Sequence, residues 1–113
     1  MSIVPLHHGT DQLSAVSIRD HGLDAALAAV YNGAGEFWAS TSTATADWFA
    51  RTNPAGGTPA RLDFEIPEQV LQQLLKQQPA IVNFYPPDDY EFLPPSFDVL
   101  NQNMTTEQVV LVF

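Results

Sequence analysis

Glycine- and proline-rich breaks divide this chain into short segments, and the order of those segments limits what it can become. The breaks fall at Asn32-Gly33-Ala34-Gly35, across Asn53–Thr58, at Pro86-Pro87 and at Pro94-Pro95. Asp11 caps a predicted helix over Gln12–Asp20, with Leu13, Val16 and Ile18 turned inward and Gly22 as its stop. Leu23–Tyr31 is alanine-rich and reads either as a second helical turn or as an ordered loop. Phe37-Trp38 reads as a short strand, and Ser42 or Thr43 caps a helix through Arg51 that sets Ala46, Trp48 and Phe49 close to it. Further along, Ala60–Ile66 alternates, with Leu62, Phe64 and Ile66 on one face of a half-buried strand. Pro67 opens a helix through Lys76 carrying Val70, Leu71, Leu74 and Leu75. Ile81–Phe84, Tyr90–Leu93, Phe97–Leu100 and Gln108–Phe113 read as further short strands. Helices concentrate early and strands late, so the fold class is α+β with a substantially antiparallel sheet.

At 113 residues the chain fits a single domain spanning 1–113, long enough for one core. Its formal charge of -9 sets 13 acidic residues against Arg19, Arg51, Arg61 and Lys76. Such a surface repels polyanions, which argues against nucleic acid and anionic membranes as partners. Its first use is solubility, and it also suits a basic protein partner. The absence of cysteine removes disulfides, thiolate nucleophiles and cysteine-ligated zinc. No signal pattern opens the chain and no apolar run reaches membrane length, so a cytoplasmic location is expected. His7, His8 and His21 with the scattered acids form no recognisable metal spacing, so no metal site is expected.

Three short motifs carry the chemistry. They are His8-Gly9-Thr10, Gly35-Glu36-Phe37-Trp38-Ala39-Ser40-Thr41-Ser42, and Asp88-Asp89-Tyr90-Glu91-Phe92-Leu93. In this order they supply polar anchors, an aromatic shelf and a carboxylate. That combination resembles the ADP-ribosyltransferase superfamily, in particular its diphtheria-toxin and poly-ADP-ribose-polymerase branch, marked by a His, Tyr, Glu triad. The resemblance runs over about residues 4–113. It implies an ADP-ribosyltransferase-like fold of two small, packed, mainly antiparallel sheets with peripheral helices, and NAD as co-substrate. Through it, His8 and Gly9 are expected to anchor the ribose and the nicotinamide amide, beside Thr10. Phe37 stands where the family has tyrosine, keeping a ring and losing the phenol hydroxyl. Trp48, eleven residues on from Phe37, takes the place of the second stacking aromatic, and Thr45 that of a serine meeting the carboxamide. A flat nicotinamide cation held between two rings gains roughly 0.5–1 kcal/mol or more of cation–π attraction. Glu91 is expected to accept a hydrogen bond from the ribose 2′-hydroxyl and to stabilise the oxocarbenium-like transition state, with Asp89 as an accessory acid on the same strand face. Ser40-Thr41-Ser42 also resembles the Ser-Thr-Ser of the arginine-modifying branch, whose first motif has Arg where this chain has His8.

The resemblance implies transfer of ADP-ribose from NAD to a protein target with release of nicotinamide, as in small proteins of bacterial toxin–antitoxin and phage settings. Two alternatives stand beside it: NAD hydrolysis on the same scaffold, and a turnover-deficient relative serving as an inhibitor, immunity or protein-interaction module. Each motif also has a plain structural explanation. His8 can hydrogen-bond at a strand, Phe37, Trp38 and Trp48 can be core, Ser40–Thr43 can simply cap a helix, and Asp88, Asp89 and Glu91 can form a solvated acidic rim. His7 and His21 read as surface residues. Serine or threonine nucleophile chemistry has no elbow motif here.

Overall fold

The computed structural model of the protein describes residues 2–24, 35–52, 57–77 and 82–113. Six strands and four helices are laid down over these residues. They are β1 (Ile3–Asp11), α1 (Gln12–His21), β2 (Phe37–Ser40), α2 (Thr43–Arg51), β3 (Pro59–Pro67) and α3 (Glu68–Leu75). The chain continues through β4 (Val82–Tyr85), β5 (Asp89–Phe92), a single 3-10 turn at Pro94–Ser96, α4 (Phe97–Asn103) and β6 (Thr105–Leu111). The expectation for Leu23–Tyr31 lies mostly outside the described residues.

Local chemistry sets most of these boundaries. Asp11 ends β1 and caps α1: its carboxylate accepts hydrogen bonds from the Ser14 amide at 2.8 Å and the Ser14 hydroxyl at 2.9 Å. Gly22 stops α1 with a φ of 82°, a left-handed backbone that glycine adopts freely. Ser42 caps α2 by accepting from the Thr45 amide at 3.2 Å. Pro67 stands just outside α3, in an extended conformation at its cap position, so the helix begins one residue later than expected.

All six strands pair antiparallel in one sheet with the order β4-β5-β2-β1-β3-β6. The α+β class and its antiparallel sheet are therefore as the sequence indicates, whereas the six strands form one sheet in place of the two expected. β1 and β3 pair along their full nine-residue lengths, from Ile3↔Pro67 to Asp11↔Pro59. β2 pairs just as fully with β5. Between these halves, β1 meets β2 at a short seam where His7 pairs with Ser40.

Strand alternation sorts the residues onto two faces. One face carries Leu6, Leu62, Phe64, Ile66, Phe37, Ala39, Phe92 and Val82, closed over by Ala15 of α1, Leu71 and Leu74 of α3, and Phe97 and Leu100 of α4. Fully burying Phe64 or Leu62 contributes about 1.5–3 kcal/mol each, so this face dominates the stability. Among the described helices, α2 alone packs on the other face. That helix descends onto Gly9, where a Cβ would stand 1.9 Å from the Ala46 carbonyl oxygen. The sheet-facing side of α2 is consequently the small pair Ala46 and Ala50.

Three expectations are corrected here. Phe97–Leu100 is helix and not strand: the Pro94–Ser96 turn runs directly into it, and Phe97 and Leu100 are buried together at helical spacing. Leu13 is 84% exposed, because Ala15 is the residue that α1 buries. Trp48 and Phe49 do not face β2; the close approach at Gly9 leaves room for alanines alone beneath α2.

Candidate functional site on the α2 face of the sheet

β1 and β2 distribute the expected site residues between opposite faces of the sheet. His8 shares the core face with Leu6, and its ring packs on Phe37 at 4.3 Å between centroids. Its Nδ1–H donates to the Trp38 carbonyl at 2.5 Å. Burial pushes the imidazole down to about 4, outweighing the Trp38 hydrogen bond and the field of Asp11, both of which favour the proton. His8 is thus a neutral residue pinning β1 to β2. Phe37 is a core ring, touching Phe64 and Phe92 as well. Gly9 lies beneath α2, and Thr10 is half-buried at the end of β1.

Glu91 stands on the other face, directly across from Trp38 in the β2–β5 ladder. Its Oε1 accepts from the Asn83 amide at 3.1 Å and from the Tyr85 hydroxyl at 3.4 Å. The negative charge of Glu91 raises the Tyr85 phenol above its ordinary range, ahead of the smaller effects of burial and hydrogen bonding. The Tyr85 and Trp38 rings lie 5.3 Å apart and tilted by 37°. Ser40 and Asp89 pair on this same face, one step along each strand face from Trp38 and Glu91. The Ser40 hydroxyl accepts from the Ser42 amide at 3.0 Å, joining the strand end to the cap of α2. Asp88 secures the adjoining turn by accepting from the Thr41 hydroxyl at 2.8 Å.

Next to this aromatic and acidic patch, across the seam, is a hydrogen-bonded ionic cluster absent from the sequence reading. Asp63 on β3 is 3% exposed and accepts from His7 Nδ1 at 2.6 Å, Arg61 Nε at 2.7 Å and Gln108 Nε2 at 2.9 Å. Arg61 also donates to Asp47 of α2 at 2.9 Å, tying the helix to the sheet. Burial alone would raise the Asp63 carboxyl, but the hydrogen bonds from Arg61, His7 and Gln108 together hold it below its usual value. Hydrogen bonding to Asp63 likewise raises Arg61. His7 is therefore not a plain surface residue. A carboxylate kept ionised is acceptor-only, so His7 Nδ1 carries the hydrogen of this bond. The signal for this cluster was present in strand parity: His7 and Asp63 both alternate with core residues, which puts them on the same face.

Of the expected site residues, the α2 face gathers Ser40, Asp89 and Glu91, and brings Trp38, Tyr85, Asn83 and His7 to join them. It does not gather His8 and Phe37, which lie on the core face. Thr45 serves in the α2 cap through its amide, and Trp48 is 56% exposed, packed edge-on against Phe49 at 5.1 Å. Phe37 and Trp48 do not form a sandwich. Chemically, the face offers two aromatic rings beside a carboxylate with fixed partners, and an imidazole oriented by Asp63.

Among the described residues no helix is long and apolar enough to cross a membrane. Comparison with known proteins found no matching family model, no matching curated protein and no matching solved structure.

Proposed function

We propose that the protein transfers ADP-ribose from NAD to a protein target, releasing nicotinamide, and that it works from the α2 face of the β5–β2–β1 strands. The observation that carries this reading is the pairing of the three motif-bearing strands side by side, with Trp38 directly opposite Glu91. The nicotinamide ring stacks on Trp38 and Tyr85, where cation–π attraction supplies roughly 0.5–1 kcal/mol or more. Glu91 accepts the 2′-hydroxyl of the adjoining ribose and stabilises positive charge developing at C1′ as nicotinamide departs. Asn83 and Tyr85 hold the carboxylate for this task, and Ser40 and Asp89 line the approach. His8 and Phe37 act from behind, the first through its bond to the Trp38 carbonyl and the second by filling the core under β2. The ADP-ribosyltransferase-like fold belongs to the same proposal.

The test is nicotinamide release from NAD by wild type and Glu91→Gln, with and without cell lysate, read together with mass spectrometry of the lysate. Release that requires lysate and drops about 100-fold or more in the variant is expected. Release without lysate would assign NAD hydrolysis instead. No release by wild type under either condition would overturn the proposal.

One observation favours a second reading, a protein-interaction module. Trp48 and Phe49 form an exposed aromatic pair on α2, a form of surface suited to anchoring a partner. The strong negative charge favours a basic one. Titration calorimetry showing no heat with NAD would move the assignment to this reading.

A further inference from the structure

His7 has no part in the activity as set out above, yet it has the geometry of a working base. Asp63 fixes the ring through Nδ1, and Asp63 is itself held by Arg61 and Gln108, so the imidazole cannot turn without breaking that cluster. Nε2 is the ring nitrogen that Asp63 does not engage, on a side chain that keeps 15% exposure. His7 pairs with Ser40 across the seam, and Trp38 stands two residues before Ser40 on the same face. Diagonal neighbours of this kind are about 7–8 Å apart, close enough for a ribose on Trp38 to present its C1′ toward the imidazole. Glu91, Trp38 and His7 therefore make a diagonal across β5, β2 and β1.

Resting on the transferase reading, we propose that His7 is the general base of that site and that the acceptor is a hydroxyl. The acceptor oxygen forms its bond to C1′ with its own lone pair. The C1′–N1 bond breaks with its electron pair passing to nicotinamide, which leaves neutral. The hydroxyl proton passes to His7 Nε2 and from there to water. A hydroxyl needs such a base because its proton becomes acidic only as the new bond forms. A carboxylate acceptor arrives ionised and needs none, and the face would repel it. The charged groups around His7 are Asp63, Arg61 and Glu65 on β3, Asp47 on α2, Glu107 on β6 and, across Ser40, Asp89 on β5.

The experiment compares wild type, His7→Gln, His7→Ala and Glu91→Gln in nicotinamide release from NAD with lysate, between about pH 5 and 9. Glutamine keeps a donor for Asp63 and lacks the base, and thermal melts report whether each variant is folded. A general base must be unprotonated to act, so the proposal expects the wild-type rate to fall toward acid. His7→Gln should lose about 100-fold in rate and that acid dependence while binding NAD as wild type does. His7→Ala should recover activity with added imidazole, at a concentration that leaves its thermal melt unchanged. Mass spectrometry should find ADP-ribose on serine, threonine or tyrosine. A folded His7→Gln with wild-type rate and pH profile, no recovery with imidazole, or modification of aspartate or glutamate would each overturn the base assignment while leaving transfer intact. A wild type that releases no nicotinamide removes the transferase reading and this assignment with it.

Discussion

At the residue scale, neighbouring histidines have opposite fates because strand parity divides them. His8 faces the core and stays neutral, while His7 faces Asp63 in an ionic cluster. The depressed pKa of His8 has a calculable effect. Above pH 6.5, its ordinary value, folded and unfolded chains both hold it neutral. Between pH 6.5 and about 4 only the unfolded chain takes up the proton, so stability falls through that window by up to about 3 kcal/mol. His8→Asn keeps a donor for the Trp38 carbonyl and removes the titration; urea melts of the two proteins should therefore lose stability differently between those pH values. If their curves run parallel there, His8 is not titrating as described. Gly9 gives a second residue-scale prediction. The Cβ of Gly9→Ala would meet backbone of Ala46 at 1.9 Å and of Ala50 at 2.8 Å, neither of which can rotate away. The substitution should cost about 3 kcal/mol or more, seen as a lower urea midpoint. The His-Gly pair was legible in the sequence as a motif, but its use in helix packing was not. Nothing local to Gly9 announces that a helix more than thirty residues away will land on it.

Among the elements, those carrying their own punctuation were the most legible. Asp11 and Gly22 bracket α1, Ser42 opens α2, and β3 displays unbroken alternation through Leu62, Phe64 and Ile66. Phe97-Asp98-Val99-Leu100 was ambiguous, because four residues satisfy a strand period and a helix period equally well; the adjoining 3-10 turn and the core contacts decide for α4. The face presented by β2 was also not legible. It sets a ring on each side, Phe37 against Trp38, so hydrophobicity does not choose its parity, whereas β5 alternates Tyr90 and Phe92 with Asp89 and Glu91. Asp63 joins three elements, bonding β1 through His7 and β6 through Gln108 from its own position on β3. Asp63→Asn should cost about 3 kcal/mol, since it leaves the Arg61 guanidinium short of a countercharge. Because its folded pKa is lowered, the carboxylate's contribution is complete above the unfolded value of 3.8 and disappears as pH falls below it. A thermal melt at neutral pH in which the variant matches wild type would show that the cluster contributes no stability.

Across the whole molecule, charge and chain order matter more than any single contact. With a formal charge of -9, self-repulsion opposes compaction at low ionic strength. Raising sodium chloride from about 10 to 150 mM should therefore raise Tm by a few degrees, as the Debye length shrinks from roughly 30 to 8 Å. A Tm independent of salt would mean that opposing charges already balance locally. The seam between β1 and β2 has a different consequence, in the way the chain is threaded. β1, β3 and β6 make up one flank and β2, β4 and β5 the other, so the polypeptide crosses between flanks repeatedly as it is laid down. Neither flank is a continuous stretch of sequence. A single backbone cut near residue 57 leaves β1 and β2 on one piece and the remaining strands on the other, with both flanks incomplete. The two pieces are thereby made mutually dependent: they must recognise each other to recover the sheet, which is the property required of a split protein that reports on proximity.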